Sequence, residues 1–548
     1  MTALRKEAER LRDLATAGKA LAPRGDFLIW RGNPWGYFDP VESLPTPGNV
    51  RDGLDVALCA GEYESLVLNL TNISGAAIDV RVRCGDVCGA VERAASRHIQ
   101  LSKTVTVPTE RRERVADALV PLDEAGLLSI PKFESAQVWI TVNAVDLPPG
   151  QYVAELVLKS IAIDPTEISM PIHIVVHDLA LPRPRPVRVC VWTTGTEGLM
   201  STGNDAVLRD LVEHGVTVFF PAAPEARWDQ NGTRLGPIDY SRHDDTVRRL
   251  APHGFLLFLT PQSHVRGPEF LSEPWKRAFV AYVRDWAAHL KALGLDYDGW
   301  AFYPYDEPSS PFTETTLHLI EVAKLIREAD PNILIYTDPT SGTTMETVRM
   351  FTGLIDIWQP SSELLERLGP ELLPEAKRVG KEVWFYDAAG GAKTLSCLGI
   401  YRWRFWFAWR HGLTGVGWWV YAHHGGEDLW DGPNATGDFF ATVYDGATGP
   451  ISSKRWEAAR EGVEDYEYLV MLRQRIHAAE RRGVPDSALD SARQLLAGAP
   501  EEMEATLRRV GRRLPLTPDS VPLYDQATGT LEGVRRRIVE ACLALDAL

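Results

Sequence analysis

Trp300-Ala301-Phe302-Tyr303-Pro304-Tyr305-Asp306-Glu307-Pro308 reads as a buried, aromatic-rich strand that ends on two adjacent carboxylates and is stopped by proline. Proline lacks a backbone donor and biases the residue before it towards extended conformations, so Asp306 and Glu307 fall where strand becomes loop. In a barrel of parallel strands, that end is the catalytic face. Successive residues of a regular strand face opposite sides, so both acids reach one pocket only if the strand kinks at its end. Pro304 and Pro308 favour such a kink. The competing reading is an acidic cap for a helix beginning after Ser309-Ser310-Pro311.

The segments on either side repeat one rhythm. Strand-like runs at Val187–Trp192, Val216–Pro221, Phe255–Thr260, Gly299–Tyr305, Ile333–Thr337, Ile355–Gln359, Val383–Tyr386 and Gly415–Tyr421 alternate with helical patterns such as Trp275–Leu293 and Thr313–Ala329. Eight β-α units over about 260 residues have the size and rhythm of a (β/α)8, TIM-type barrel, with the stretch above as its fourth strand. An open doubly wound sheet is the alternative. Neither a G-x-G-x-x-G turn after a first strand nor a Walker loop favours it.

Beyond the barrel the pattern changes. Short alternating runs such as Ser65–Leu70, Gln137–Val142 and Tyr152–Leu158, separated by turn signals, predict a β-sandwich. The stiff segment Leu181-Pro182-Arg183-Pro184-Arg185-Pro186 marks its end. Residues 1–20 and the charged segments after 452 read as amphipathic helices. The predicted organisation is a multidomain α/β chain: an N-terminal helix over 1–21, a β-sandwich over 22–182, the (β/α)8 barrel over 183–450, and a helical C-terminal region over 451–548 that covers one side of the barrel.

Composition narrows the function classes. The chain has 548 residues, 45% hydrophobic and 24% charged, the profile of a globular protein of several domains. Its formal charge of −16 excludes nucleic acid and anionic membranes as expected partners, since both select a basic face. Six scattered cysteines read as reduced, mostly buried thiols, because Cys84 and Cys88 alone are a weak metal signal. The first residues carry no apolar h-region, and no run approaches a membrane span. The expectation is a cytoplasmic protein, or a secreted one if a leader has been removed, with homo-oligomerisation left open.

The candidate chemistry lies at strand ends. Asp306 and Glu307, set among Tyr303 and Tyr305, suit glycoside cleavage, in which one carboxyl gives a proton and another stays charged. At the end of the seventh strand, Trp384, Tyr386 and Asp387 precede Gly390 and Gly391; Tyr386 is a candidate donor, and Asp387 a candidate carboxylate facing Glu307 or simply a turn cap. Trp418 and Trp419 lie on the last strand, where one of the two is expected to floor a sugar subsite. Trp403, Trp406 and Phe407 share a helical face and read as core. His423 and His424, followed by Glu427 and Asp428, lack metal-ligand spacing, so His423 is read as a substrate contact and no metal or cofactor is called for.

Cys59-Ala60-Gly61-Glu62-Tyr63-Glu64-Ser65, the Tyr305-Asp306-Glu307-Pro308 strand end, Val383-Trp384-Phe385-Tyr386, Gly415-Val416-Gly417-Trp418-Trp419 and the run Arg460-Glu461-Gly462-Val463-Glu464-Asp465-Tyr466-Glu467-Tyr468 together resemble glycoside hydrolase family 123 and the larger group that shares its catalytic domain. The resemblance spans roughly 22–475. It implies an exo-acting, retaining β-N-acetylgalactosaminidase-like enzyme on an oligosaccharide or glycoside, working by substrate assistance. It also implies Glu307 as acid/base, Asp306 as the carboxylate that orients the 2-acetamido group, and Tyr386 as donor to the acetamido oxygen. Two features depart from the family pattern: Tyr305 replaces a Trp-like residue, and the seventh strand runs into Asp387-Ala388-Ala389-Gly390-Gly391. The alternatives are a retaining glycosidase on a non-acetamido sugar with Asp387 as nucleophile, or a non-catalytic carbohydrate-binding protein on the same fold.

Overall fold

The computed structural model describes residues 9–16, 25–45, 53–89, 93–94, 96–109, 113–193, 198–388, 390–422, 430, 440–514 and 517–548. It divides into two compact units, one of residues 187–389 with 408–424, the other of 1–186, 390–407 and 425–548.

Every one of the eight expected barrel strands is present in the unit of residues 187–389 and 408–424: β1 Arg188–Val191, β2 Val218–Phe219, β3 Phe255–Leu259, β4 Trp300–Tyr303, β5 Leu334–Thr337, β6 Ile357–Trp358, β7 Glu382–Asp387 and β8 Gly415–Trp418. They run parallel in the row β1-β8-β7-β6-β5-β4-β3-β2. The two ends of the row meet at Thr217, whose N–H donates to Val189 O at 3.1 Å while its hydroxyl accepts from the Val189 N–H at 2.8 Å. That contact nearly closes the barrel. The strands are short runs of buried apolar residues, FLLFL in β3 and WAFY in β4, because a parallel sheet is covered on both faces.

Helices follow the strands in turn: α1 Asp205–Glu213, α2 Ser241–Leu250, α3 Glu273–Ala292, α4 Glu314–Ala329, α5 Met345–Phe351, α6 Ser362–Arg378 and α7 Trp403–Arg410. Side-chain caps set their starts. Asn204, Ser272, Thr313, Thr344 and Ser361 each accept a first-turn N–H that would otherwise lack a partner.

The other unit carries two sheets. One orders Phe27–Arg31, Tyr63–Asn72, Ser135–Asn143, Ile99–Pro108, Arg114–Pro121, Pro450–Ser453 and Tyr444–Asp445; the other is built on Leu54–Ala60, Glu167–Ala180, Gly150–Ser160, Ile78–Cys84 and Leu127–Ile130. The strict in-out alternation of Gly150–Ser160 is that of strands with one buried face. Leu68, Leu70, Val138 and Ile140 from the first sheet and Val82, Leu156, Leu158 and Ile172 from the second share one hydrophobic core.

The C-terminal helices α8 Lys454–Arg481, α9 Asp486–Val510 and α10 Val521–Asp546 belong to the same unit as these sheets. The reason is a buried ion network centred on Arg535. Its guanidinium reaches Asp465 at 2.7 Å, Glu62 at 3.1 Å, and Glu64 and Glu461 at 3.0 Å, while Arg402 adds a second bond to Asp465 at 2.6 Å. The charged run of α8 is therefore interior from Lys454 to Leu472. Removing one partner from such a network strands buried charge, at a cost of about 3–5 kcal/mol. Trp403 and Trp406 are buried, as expected of core residues. Among the described residues no helix is long and apolar enough to cross a membrane.

Candidate active site

β4 ends at Tyr303, and two turns of backbone geometry bring its acids together. Pro304 is buried and Tyr305 half-buried, then Asp306 and Glu307 emerge exposed. Glu307 adopts a left-handed backbone with φ of 48°, a conformation that a side chain with a Cβ rarely takes. The kink that the adjacent carboxylates require is therefore present, at Glu307 itself.

The residue that holds the kink lies on the next strand. Asp338 follows β5 directly, is 1% exposed, and accepts the Glu307 N–H at its Oδ1, 3.1 Å away. The Tyr303 hydroxyl is hydrogen-bonded both to Asp338 Oδ2 and to Asp306 Oδ1. Across the barrel, Tyr386 on β7 donates its hydroxyl to Glu307 Oε1 at 2.7 Å. The loops are tied as well: the Thr340 N–H donates to Pro308 O at 3.1 Å, so the peptide after Glu307 and the peptide after Asp338 support each other.

Burial governs the titration of this cluster. Desolvation, then the like charge of Asp306, holds the Asp338 carboxyl well above the usual carboxylate range. Burial likewise pushes the phenols of Tyr303, Tyr336 and Tyr386 up, with the nearby carboxylates adding to it, so all three remain O–H donors.

Beneath the acids the barrel interior is filled in layers. Tyr336 packs edge-on to Tyr303 with ring centroids 4.7 Å apart, and lies 5.7 Å from Trp384. Gln359, fully buried, accepts from Tyr336 at 2.6 Å and donates to Phe385 O at 3.1 Å, joining β5, β6 and β7. Gln359 fits because Gly417 faces it: a Cβ there would lie 2.2 Å from Gln359 Nε2 and 2.7 Å from Cys190 O.

The expected site residues separate into two groups. Tyr303, Asp306, Glu307 and Tyr386 converge, joined by Asp338. The others among the described residues lie elsewhere. Trp384 points inward but is completely buried below Tyr386, its indole N–H donating to Glu382 at 2.7 Å. Tyr386 and Trp384 share the inward face of β7, so Asp387, the last residue of the strand and still paired with Trp418 of β8, alternates to the outward face. Gly415 and Gly417 likewise take the inward positions of β8, which turns Trp418 outward and leaves Trp419, half-buried, just past the strand end. Tyr305 turns towards His318 on α4, 6.1 Å between ring centroids, and burial raises its phenol to about 12. His423, with His424, Glu427 and Asp428, lies outside the described residues.

Asp338 and Gln359 are absent from the sequence expectations, although a signal for both exists. Glu307-Pro308, Asp338-Pro339 and Gln359-Pro360 each place a polar residue and a proline just past a barrel strand. The pattern that singled out the fourth strand recurs on the fifth and sixth.

Among the described residues one other cluster has metal-like composition, His243, Asp244 and His289 on α2 and α3. Both ring nitrogens of His243 are engaged: Nε2 accepts the Trp286 N–H at 2.9 Å, so Nδ1 carries the hydrogen and donates to Asp244 at 3.0 Å. His289 Nε2 contacts the same Asp244 oxygen at 2.8 Å while its ring stacks on Tyr240. The three groups satisfy one another as a helix-to-helix link.

Residues 264–472 match the family model described as Glycoside hydrolase 123, catalytic domain. The fold is similar to that of a family 123 glycoside hydrolase from Clostridium perfringens, studied for glycolipid glycan hydrolysis, with a TM-score of 0.67 at 12% identity over 94% of this chain and 99% of that one. A family 39 glycoside hydrolase from Bacteroides cellulosilyticus WH2 aligns with a TM-score of 0.37 at 12% identity, over 75% of this chain and 81% of that one. Xylanase10C from Cellvibrio japonicus gives 0.38 at 11% identity, over 79% and 97%. No curated protein matches the chain by sequence. The matched segment contains Asp306, Glu307, Asp338 and Tyr386, and by this match the chain is a glycosidase.

Proposed function

We propose that this glycosidase is an exo-acting, retaining β-N-acetylgalactosaminidase-like enzyme in which the substrate's own 2-acetamido group is the nucleophile. The observation that carries the reading is the left-handed kink at Glu307, which presents two neighbouring carboxylates at one strand end. A retaining enzyme that forms a covalent glycosyl intermediate needs a second carboxyl about 5 Å from the acid/base, on the far side of the sugar. Asp387 alternates away from Glu307, and Asp338 is buried and occupied by Tyr303 and the Glu307 peptide. An internal nucleophile removes the need for such a group, and its proximity supplies part of the rate.

In the first step the acetamido carbonyl oxygen attacks the anomeric carbon as the bond from that carbon to the leaving oxygen breaks. Glu307 gives its proton to the leaving oxygen. Asp306 accepts the acetamido N–H and offsets the positive charge that develops on the nitrogen of the bicyclic oxazolinium. In the second step water attacks the same carbon, Glu307 recovers a proton from it, and the acetamido carbonyl is restored with the original anomeric configuration.

Hydrolysis of aryl β-glycosides of GalNAc, GlcNAc and their 2-hydroxy counterparts by wild type and Glu307→Gln tests the assignment. The expected result is turnover confined to the 2-acetamido sugars, lost in the variant for substrates with poor leaving groups. Turnover of the 2-hydroxy sugars alone would overturn it.

A further inference from the structure

The Tyr303 hydroxyl has one hydrogen and two carboxyl neighbours, Asp306 Oδ1 and Asp338 Oδ2. Two ionised carboxylates offer only acceptors, so one of the two contacts would then set oxygen against oxygen with no proton between them. A phenol can accept as well as donate. Both contacts are satisfied when one of the carboxyls is the neutral acid and gives its proton to the phenol oxygen, leaving the phenol hydrogen for the other.

Position decides which carboxyl is neutral. Asp338 is interior at 1% exposure, whereas Asp306 is exposed. An isolated carboxylate placed in a low-dielectric interior takes up a proton rather than remain charged. The charge that acts most on Asp338 from the β4 end is that of Asp306, of its own sign. The other ionisable neighbours are Tyr303, Tyr336 and Tyr386, all held as phenols by burial, and the buried thiol of Cys190 on β1. The Tyr303 bond and the Glu307 N–H favour the anion and weigh less than burial and the Asp306 charge. The direction is a protonated Asp338.

We propose that Asp338 is a positioning residue for the carboxylate pair, holding the Glu307 peptide in its kink through one oxygen while its other oxygen, as a neutral acid, donates to Tyr303 and thereby turns the Tyr303 hydrogen onto Asp306. The chain of donors runs in one direction, from Asp338 O–H to Tyr303 oxygen and from Tyr303 O–H to Asp306. It fixes Asp306 as the acceptor in its rotamer and keeps its second oxygen free for a substrate N–H. The same side chain thus sets both acids, one through the backbone and one through a phenol. The proposal rests on the assignment of Asp306 and Glu307 to catalysis.

Three variants separate this from a merely structural or an anionic role. Asp338→Asn reproduces the neutral acid, its amide oxygen accepting from the Glu307 N–H and its NH2 donating to Tyr303. Asp338→Ala removes both of its bonds, and Tyr303→Phe removes the phenol's contacts with both carboxyls while leaving the Asp338 bond to the Glu307 peptide. On whichever glycoside the wild type cleaves, Asn is expected to retain turnover within about tenfold, whereas Phe and Ala lower kcat by about 10²–10³ with KM less affected, the scale of a lost preorganised donor. Folding of each variant is checked by thermal melting. A folded Asn variant that falls as far as Ala would show that the charge of Asp338 is needed and would overturn the proposal.

Infrared spectroscopy gives a readout independent of turnover. At neutral pH the wild type is expected to show the C=O stretch of a buried protonated carboxylic acid that Asp338→Asn lacks. No such difference overturns the proposal whatever the enzyme cleaves. The band with no turnover of any glycoside would instead remove the function assigned to the site and leave the protonated relay standing.

Discussion

Tyr386 on the seventh barrel strand donates its hydroxyl to Glu307 on the loop after the fourth, at 2.7 Å. The family resemblance implies Tyr386 as a donor to the acetamido oxygen; here the same hydroxyl is spent on the acid/base. Its phenol is pushed up chiefly by burial, with the neighbouring carboxyl groups adding to it, so it donates throughout the working pH range. The bond fixes one Glu307 oxygen and leaves the other for the leaving group.

Tyr386→Phe is therefore expected to lower kcat by about 10²-fold, the scale of one aimed donor, and to change KM less. The loss should grow as the aryl leaving group becomes a poorer one, because the variant disturbs proton donation. Rates across aryl β-glycosides of graded leaving-group acidity check this. A uniform loss across the series would instead assign the hydroxyl to the sugar.

Asp387 lies one residue further along the same strand and faces the other way. Asp387→Ala is expected to keep kcat/KM within a few-fold of wild type, while Asp306→Ala loses about 10²–10⁴, the range for a positioned acid-base group. Because Asp387 is itself buried, melting of the variant is measured alongside. A larger loss at Asp387, or a covalent adduct there with a 2-fluoro sugar, would replace substrate assistance with a carboxylate nucleophile.

The eight strands were legible because each is a short apolar run bounded by turn residues, and all eight occur where that pattern places them. The Asp306-Glu307 pair was legible for the same reason, since a proline after two acids marks a strand end. Periodicity does not say which residues of a strand face inward near its end. Trp384 and Trp418 look alike in sequence, yet one lies in the barrel floor and the other points outward, because Gly415 and Gly417 occupy the inward positions beside them. The placement of α8 was illegible for another reason. Its run of Glu, Asp and Arg resembles a solvated face, and only the distant partners Glu62, Glu64 and Arg535 make it an interior one.

Lys454 opens α8, and its ammonium is buried at 3% exposure with no hydrogen-bond partner among the described residues, 5.9 Å above the Trp139 ring. Burial lowers its pKa to about 8, only partly offset by Cys397 and Asp117. A positive charge in the first turn also opposes the helix dipole. Below about pH 8 the lysine is charged in both folded and unfolded chains, and the folded state bears the whole cost of the buried charge. Between there and the ordinary lysine value the folded state is neutral while the unfolded chain still binds the proton, so stability rises with pH by up to about 3 kcal/mol. Lys454→Met keeps the length and apolar stem without the charge. It is expected to stabilise the protein at pH 7 by about 1–3 kcal/mol, as replacing buried charge by a packed apolar group does, and to abolish the rise above pH 8. Urea unfolding of both proteins across this window measures both effects. A Met variant less stable at pH 7, with the wild-type pH dependence retained, would mean that the ammonium is held by attraction stronger than its desolvation.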